Sequence, residues 1–201
     1  VHHSLKDSGA KAIVIIENFA RTLEQAVPGT SCTRFVLTGA GDMLSFPKRE
    51  IVNFMIRHVK KMVPAYTLPG AVNFRDALSI GRSAGFRPVD VKSSDLAFLQ
   101  YTGGTTGVAK GAELTHRNMI ANVLQVSAWI SQRFHEGEET VLTALPLYHV
   151  FSLTATMVFT HWAAEMVLIT NPRNLDSLAG ECVKHDVSVI IGVNTLFAAL
   201  L

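Results

Sequence analysis

The chain has 201 residues, 48% hydrophobic and 17% charged, with a formal net charge of +2. This composition belongs to a globular protein rather than a disordered one, and so small a charge argues against nucleic acid as the main partner. The two cysteines, Cys32 and Cys182, form no CxxC pair and no metal cluster, which suits a reducing, cytoplasmic compartment.

The first ten residues carry no Met and no signal peptide. They read as the middle and end of a helix, with Gly9 as its C-terminal glycine, so an excised piece of a longer protein is expected. Residues 12–16 (AIVII) are a continuous apolar run, the pattern of a strand covered on both faces. Residues 17–26 have helical spacing, with Phe19, Leu23 and Ala26 on one side. Pro28-Gly29 marks a turn, and residues 35–38 a second strand ending at 39–42.

Residues 46–63 form the most periodic stretch. Ile51, Val52, Met55, Ile56, Val59, Met62 and Val63 recur at helical spacing, beside Lys48, Arg49, Arg57, His58, Lys60 and Lys61. Glu50 is the sole acid there, and Pro64 stops the helix. The stripe has two readings: a face packed on the core, or an interfacial helix on a membrane. Residues 66–87 read as loop plus a short helix around 74–80.

Next comes a strand at 96–100, followed by a run of Gly and Thr and then a helix over 117–132 with Thr115 as N-cap. Strands at 141–145, 166–170 and 187–192 alternate with helices at 153–164, 175–185 and 195–201. Short links and regular alternation give an α/β fold with a largely parallel sheet flanked by helices. Residues 140–164 lack charge, but Pro146, His149 and His161 interrupt them. They read as strand, loop and buried helix rather than a membrane span.

The chemistry concentrates in YTGGTTGVAKGA, which comprises Tyr101, Thr102, Gly103, Gly104, Thr105, Thr106, Gly107, Val108, Ala109, Lys110, Gly111 and Ala112. Glycines let backbone N–H groups approach an anion closely. Threonine hydroxyls add donors or meet the Mg²⁺ that travels with a nucleotide. Lys110 adds a point charge for phosphate. The Walker pattern requires Gly-Lys-Ser/Thr, which is absent, and GxGxxG is absent too.

The stretch resembles the phosphate loop of the adenylate-forming superfamily of acyl-CoA synthetases, luciferases and adenylation domains, whose general pattern is YTSGTTGxPKG. Gly103 and Ala109 depart from that pattern, as they do in bacterial long-chain fatty-acid CoA ligases. The resemblance covers essentially the whole chain but only part of the family's length, in its large N-terminal domain. It implies ATP with Mg²⁺, a fatty acid and coenzyme A as small-molecule partners. The carboxylate is joined to the α-phosphate of ATP and then passed to the coenzyme A thiol. Thr102, Thr105, Thr106 and Lys110 would grip the triphosphate. The family's Tyr-Gly-x-Thr-Glu segment, ribose-binding aspartate and C-terminal lysine have no match here. The alternatives are an adenylating enzyme for another acid and a non-catalytic nucleotide-binding or membrane-surface module.

Residues 145–151 (LPLYHVF) match the family's next motif, which implies that His149 lies near the acyl carboxylate. On position alone it reads equally as a core histidine. Val193, Asn194 and Thr195 resemble the segment lining the acyl pocket, and Thr195 also reads as a helix N-cap. GxSxG at 81–85 lacks the strand-turn-helix setting of a hydrolase, so Ser83 is expected in a loop. His2-His3 is too short for a metal site, and no His pair has zinc-ligand spacing.

Overall fold

The computed structural model describes residues 1–102 and 109–201. The sequence expectations for Gly103, Gly104, Thr105, Thr106, Gly107 and Val108 lie outside the described residues. The chain divides into two compact units. Unit 1 is Val1–Asp90 with Tyr101–Gly111, and unit 2 is Val91–Gln100 with Ala112–Leu201. Both belong to the α/β class, with parallel sheets flanked by helices.

In unit 1, α1 (His2–Ser8) ends at Gly9, whose φ of 63° is the left-handed conformation glycine adopts freely. Strands β1 (Ala12–Ile16), β2 (Arg34–Thr38) and β3 (Val72–Asn73) form a parallel sheet with β2 central. Ile13 pairs with Phe35 and Ile15 with Leu37, so alternation places all four on one face. Leu5 of α1 and Leu23 and Ala26 of α2 (Ala20–Ala26) belong to the core that includes Phe35 and Cys32. Burial of β1 on both faces was expected, yet Val14 is 60% exposed, because α1 and α2 serve the same face as Ile13 and Ile15. A 3-10 turn at Glu17–Phe19 precedes α2 and shifts its phase. Ala20, Leu23 and Ala26 are therefore buried, and Phe19, expected beside Leu23, is exposed.

The single helix expected over 46–63 is not formed. Helix α3 spans Lys48–Phe54 and runs into a π turn at Met55–Val59, and Lys61 then takes φ 50°. Phe46 stays outside because a residue before proline is disfavoured in the helical region. The apolar stripe also splits. Val52, Ile56 and Val63 are half-buried, but Ile51, Met55, Val59 and Met62 are exposed, and the buried residue of α3 is Asn53.

Polar bonds hold this helix at the carboxyl end of the sheet. Asn53 donates to Asp42 (2.9 Å) and accepts from the Gly41 N–H (2.8 Å), while Asp42 accepts from the Gly39 N–H (2.7 Å). A Cβ on Gly39 would stand 2.9 Å from Asn53 Oδ1, so the close approach requires glycine there. Arg57 donates to both oxygens of Glu17 at 2.7–2.9 Å, and Glu17 is 4% exposed. Helix α4 (Phe74–Ala84) is capped by Asn73. Ser83 lies inside it and donates to Ser79 O (3.1 Å), so it is a helical serine rather than a loop one.

Strands β4 (Leu96–Thr102) and β5 (Lys110–Thr115) pair in a two-stranded sheet. Tyr101, Thr102, Lys110, Gly111 and Ala112 are thus strand residues, where the sequence suggested one continuous loop. Strand pairing satisfies backbone groups that a loop would leave to solvent. Helix α5 (His116–Ile130) starts at Thr115 through a reciprocal cap with Asn118.

In unit 2, β6 (Thr140–Thr143) lies between β7 (Glu165–Leu168) and β8 (Val189–Ile191), all parallel. Leu142 and Ala144 join Val167, Leu178 of α7 (Leu175–Lys184) and Leu196 of α8 (Asn194–Leu200) in one core cluster. Val141, on the opposite face of β6, joins Ile191 and Phe159 of α6 (Val150–His161). The uncharged stretch 140–164 thus folds into β6, a loop and α6. Among the described residues no helix is long and apolar enough to cross a membrane.

Candidate functional site

Both flanks of the Gly/Thr stretch are tied to α1. The Tyr101 hydroxyl donates to Asp7 (2.6 Å) and lies 3.4 Å from Ser4 O. The Asp7 carboxylate, by accepting that bond, raises the Tyr101 pKa above the usual tyrosine value. His3 Nε2 donates to Ala109 O (2.9 Å), and its ring meets Tyr101 edge-on at 6.4 Å. His2 Nδ1 donates to Ala26 O (2.9 Å), so the His2-His3 pair serves packing and anchoring. Gly111 admits the Tyr101 ring: a Cβ there would lie 3.1 Å from Cζ. Thr102 and Lys110 are exposed, and Lys110 makes no ion pair among the described residues. A hydroxyl and a free ammonium are hard donors of the kind a Mg²⁺-bound polyphosphate accepts, so these flanks fit such a group.

The second candidate lies in unit 2, at the carboxyl ends of β6, β7 and β8, where open parallel sheets place ligands. A cavity of about 430 Å³ is lined by Leu145, Pro146, Pro172, Leu175, Val193 and Thr195, among others. It is mostly apolar and adjoins a second cavity that shares Ala144, Leu145, Pro146 and Pro172. The fold thus brings Val193 and Thr195 together with the start of the LPLYHVF segment. Asn194 and His149 do not line these cavities.

His149 lies six positions past the end of β6, as N-cap of α6, and is exposed. Its Nδ1 accepts from the Phe151 N–H (3.3 Å), which leaves the proton of the neutral ring on Nε2. Helix α6 therefore begins at Val150, earlier than the spacing indicated. Ser152, fully buried, donates to Leu145 O (3.3 Å), and the His149 N–H donates to Pro146 O (3.0 Å), closing the loop on itself. Gln100 Nε2 donates to Tyr148 O (3.1 Å) and holds the loop against β4. Thr195 is not the N-cap of α8: that position is Val193, without a side-chain cap bond.

Sequence reasoning missed His3, Asp7, Pro172, Arg173 and Leu175. Asp7 and His3 act across long separations and leave no local pattern. Pro172 and Arg173 follow a strand with no feature that marks a site, yet both line the apolar cavity. Among the described residues, no three His, Cys, Asp or Glu side chains converge on one point.

A protein-family model described as AMP-binding enzyme matches residues 1–201. The long-chain-fatty-acid CoA ligase of Salmonella typhimurium is 51% identical over 202 aligned residues, covering 100% of this chain and 36% of that protein. The ligase of the same name from Haemophilus influenzae is 51% identical over 201 aligned residues, covering 98% and 36%. Among solved structures, one from Rhodopseudomonas palustris assigned as a long-chain-fatty-acid CoA ligase superposes with a TM-score of 0.73 at 16% identity. It matches 99% of this chain and 42% of its own. At that identity the likeness carries the fold alone. The chain spans 36% of the length of these curated relatives.

Proposed function

The chain belongs to the AMP-binding enzyme family, and from that premise we propose that it is part of the N-terminal, ATP- and acyl-binding domain of an AMP-forming long-chain fatty-acid CoA ligase. The observation that carries this reading is 51% identity to such ligases along the whole chain. The apolar cavity at the carboxyl ends of β6, β7 and β8 supports it, since an acyl chain needs an apolar lining.

In the first half-reaction a carboxylate oxygen attacks the α-phosphorus of ATP, and pyrophosphate leaves. In the second the coenzyme A thiol attacks the acyl carbonyl, and AMP leaves. The substrate supplies the nucleophile each time, so the protein contributes positioning and charge compensation. Thr102, Thr105, Thr106, Lys110 and the glycine amides of the stretch hold the triphosphate. Tyr101, through Asp7, sets where that stretch begins. Threonine hydroxyls of this stretch would hold Mg²⁺, which when bound would offset charge on the phosphates. His149, with a proton on Nε2, donates toward the acyl carboxylate, and Val193, Asn194 and Thr195 border the acyl chain.

In the full-length protein, Lys110→Ala slows adenylate formation by roughly tenfold to a hundredfold, about 1.5–3 kcal/mol for a charge-assisted contact. It leaves thioester formation from preformed acyl-adenylate nearly unchanged, because the β- and γ-phosphates have already gone. Equal loss in both half-reactions removes the assigned role. Activation of short or aromatic acids in preference to fatty acids favours an adenylating enzyme for another acid. The isolated 201-residue chain is not expected to turn over, and sustained AMP formation from ATP, palmitate and coenzyme A would contradict that. A second reading, peripheral contact with the cytoplasmic face of a membrane through residues 46–63, is favoured by the exposed apolar side chains of that segment.

A further inference from the structure

Helix α1 carries a polar side that the core does not use. Leu5 is buried in the core of unit 1, and His2 Nδ1 donates to Ala26 O at the end of α2 (2.9 Å), so the helix is fixed in place. At about 100° per residue, positions 3 and 7 fall together on the side away from Leu5. His3 and Asp7 are therefore one turn apart on one face. Both reach the Gly/Thr stretch, across separations of 106 and 94 positions.

The two bonds fall at matching places. Asp7 accepts from the Tyr101 hydroxyl (2.6 Å), and Tyr101 immediately precedes Thr102. His3 Nε2 donates to Ala109 O (2.9 Å), and Ala109 immediately precedes Lys110. The second bond is to a main-chain oxygen, so it fixes the path of the chain itself. The Tyr101 ring is seated between Gly111, where a Cβ would lie 3.1 Å from its Cζ, and the His3 ring, met edge-on at 6.4 Å. A helix is a stiff spacer, with side chains four apart standing about 5–6 Å from Cβ to Cβ. Anchoring both flanks to one turn thus sets how far apart Thr102 and Lys110 stand.

We propose that His3 and Asp7 are positioning residues for adenylate formation, which from one turn of α1 set the spacing of Thr102 and Lys110 to suit a triphosphate. The proposal rests on the reading that Thr102 and Lys110 hold the triphosphate. Neither His3 nor Asp7 touches substrate. Donors fixed before ATP arrives lose little further freedom on binding it, and a misplacement of about 1 Å can cost on the order of a hundredfold in rate. The effect is confined to the step in which the β- and γ-phosphates are present.

The test uses the full-length protein carrying this chain. His3→Ala, Asp7→Ala, His3→Gln and Asp7→Asn are compared with Lys110→Ala. Calorimetry reads the affinities for ATP and for AMP. Palmitate-dependent exchange of pyrophosphate into ATP reads the first half-reaction, and thioester formation from preformed palmitoyl-adenylate reads the second. Asp7→Ala, which removes a charge-assisted bond, is expected to slow the exchange roughly tenfold and His3→Ala roughly fivefold, each with a matching rise in the Kd for ATP. AMP affinity and thioester formation are expected to stay as in the unaltered protein, since neither involves the β- and γ-phosphates. A glutamine amide can still donate and an asparagine oxygen can still accept, so His3→Gln and Asp7→Asn recover most of the rate. Because the two anchors set one distance, the double alanine variant loses less than the product of the single losses; a full product overturns the shared spacing. If Lys110→Ala weakens ATP binding and slows the exchange but the alanine variants at 3 and 7 stay within about twofold of the unaltered protein, below the loss of one hydrogen bond, the anchoring role is wrong and the triphosphate reading stands. Equal weakening of ATP and AMP, or equal slowing of both half-reactions, marks general damage to unit 1 and overturns the proposal. If Lys110→Ala itself spares the exchange, the triphosphate reading fails and the proposal fails with it.

Discussion

Replacing Arg57 by methionine is the sharpest probe of how unit 1 holds its helix. The methionine keeps much of the apolar stem but leaves Glu17, 4% exposed, without its partner. The wild-type pair has three N–H···O contacts of 2.7–2.9 Å. Removing one member of a buried ion pair costs about 3–5 kcal/mol. The Arg57 side chain is 43% exposed, so water reaches the vacated place and screens the orphan charge. We therefore expect about 2–3 kcal/mol. Glu17→Gln, which leaves no orphan carboxylate, should cost about 1 kcal/mol. The double variant Arg57→Met with Glu17→Leu should be milder than Arg57→Met alone, because the buried charge has gone as well. The assay is urea unfolding followed by far-UV circular dichroism, with hydrogen exchange resolved over residues 48–59. The hydrogen bond to Glu17 raises the guanidinium pKa further, against the lowering effect of burial. A raised pKa gives a contribution that is full below the ordinary arginine value, so the penalty should not change between neutral and moderately alkaline pH. An Arg57→Met cost below about 0.5 kcal/mol, the range of an ordinary surface substitution, would refute the reasoning. So would a double variant worse than the single.

Other outcomes follow from the same geometry. Leu142→Ala, at a fully buried position of the central strand, should destabilise unit 2 by about 2–5 kcal/mol in urea unfolding, whereas Val183→Ala, 84% exposed, should leave the midpoint unmoved. Gly39→Ala drives a Cβ to 2.9 Å from both Asn53 Oδ1 and Asp42 Oδ1, so about 1–3 kcal/mol should be lost, with faster exchange at the Gly41 amide. Tyr101 should titrate at higher pH than an ordinary tyrosine, read as phenolate absorbance, and Asp7→Asn should bring it back toward the usual range. Because its folded pKa is raised, the Tyr101–Asp7 bond stabilises below the ordinary tyrosine value and is lost as pH rises through the folded one.

Local pattern determined a good deal of this protein. The Thr115–Asn118 cap works over three residues and is legible as spacing. The runs that became β1, β2 and β6 are short, apolar and bounded, and their alternation with helices leaves a parallel α/β fold as the simple arrangement. The composition of residues 101–112 carried the phosphate-loop resemblance without any coordinates. Tertiary structure decided the rest, for a common reason: the deciding contacts join residues with no periodic relation. Tyr101 meets Asp7 across 94 positions, and Arg57 meets Glu17 across 40. The cavity of Leu145, Pro172 and Val193 exists because β6 lies between β7 and β8, so that three carboxyl ends converge. Periodicity announced an apolar stripe on 46–63 but could not say which way it faces. A hydrophobic pattern records only that a face is apolar; the direction was set by Asn53 and Arg57, whose buried polar partners outweigh the pull of the stripe toward the core.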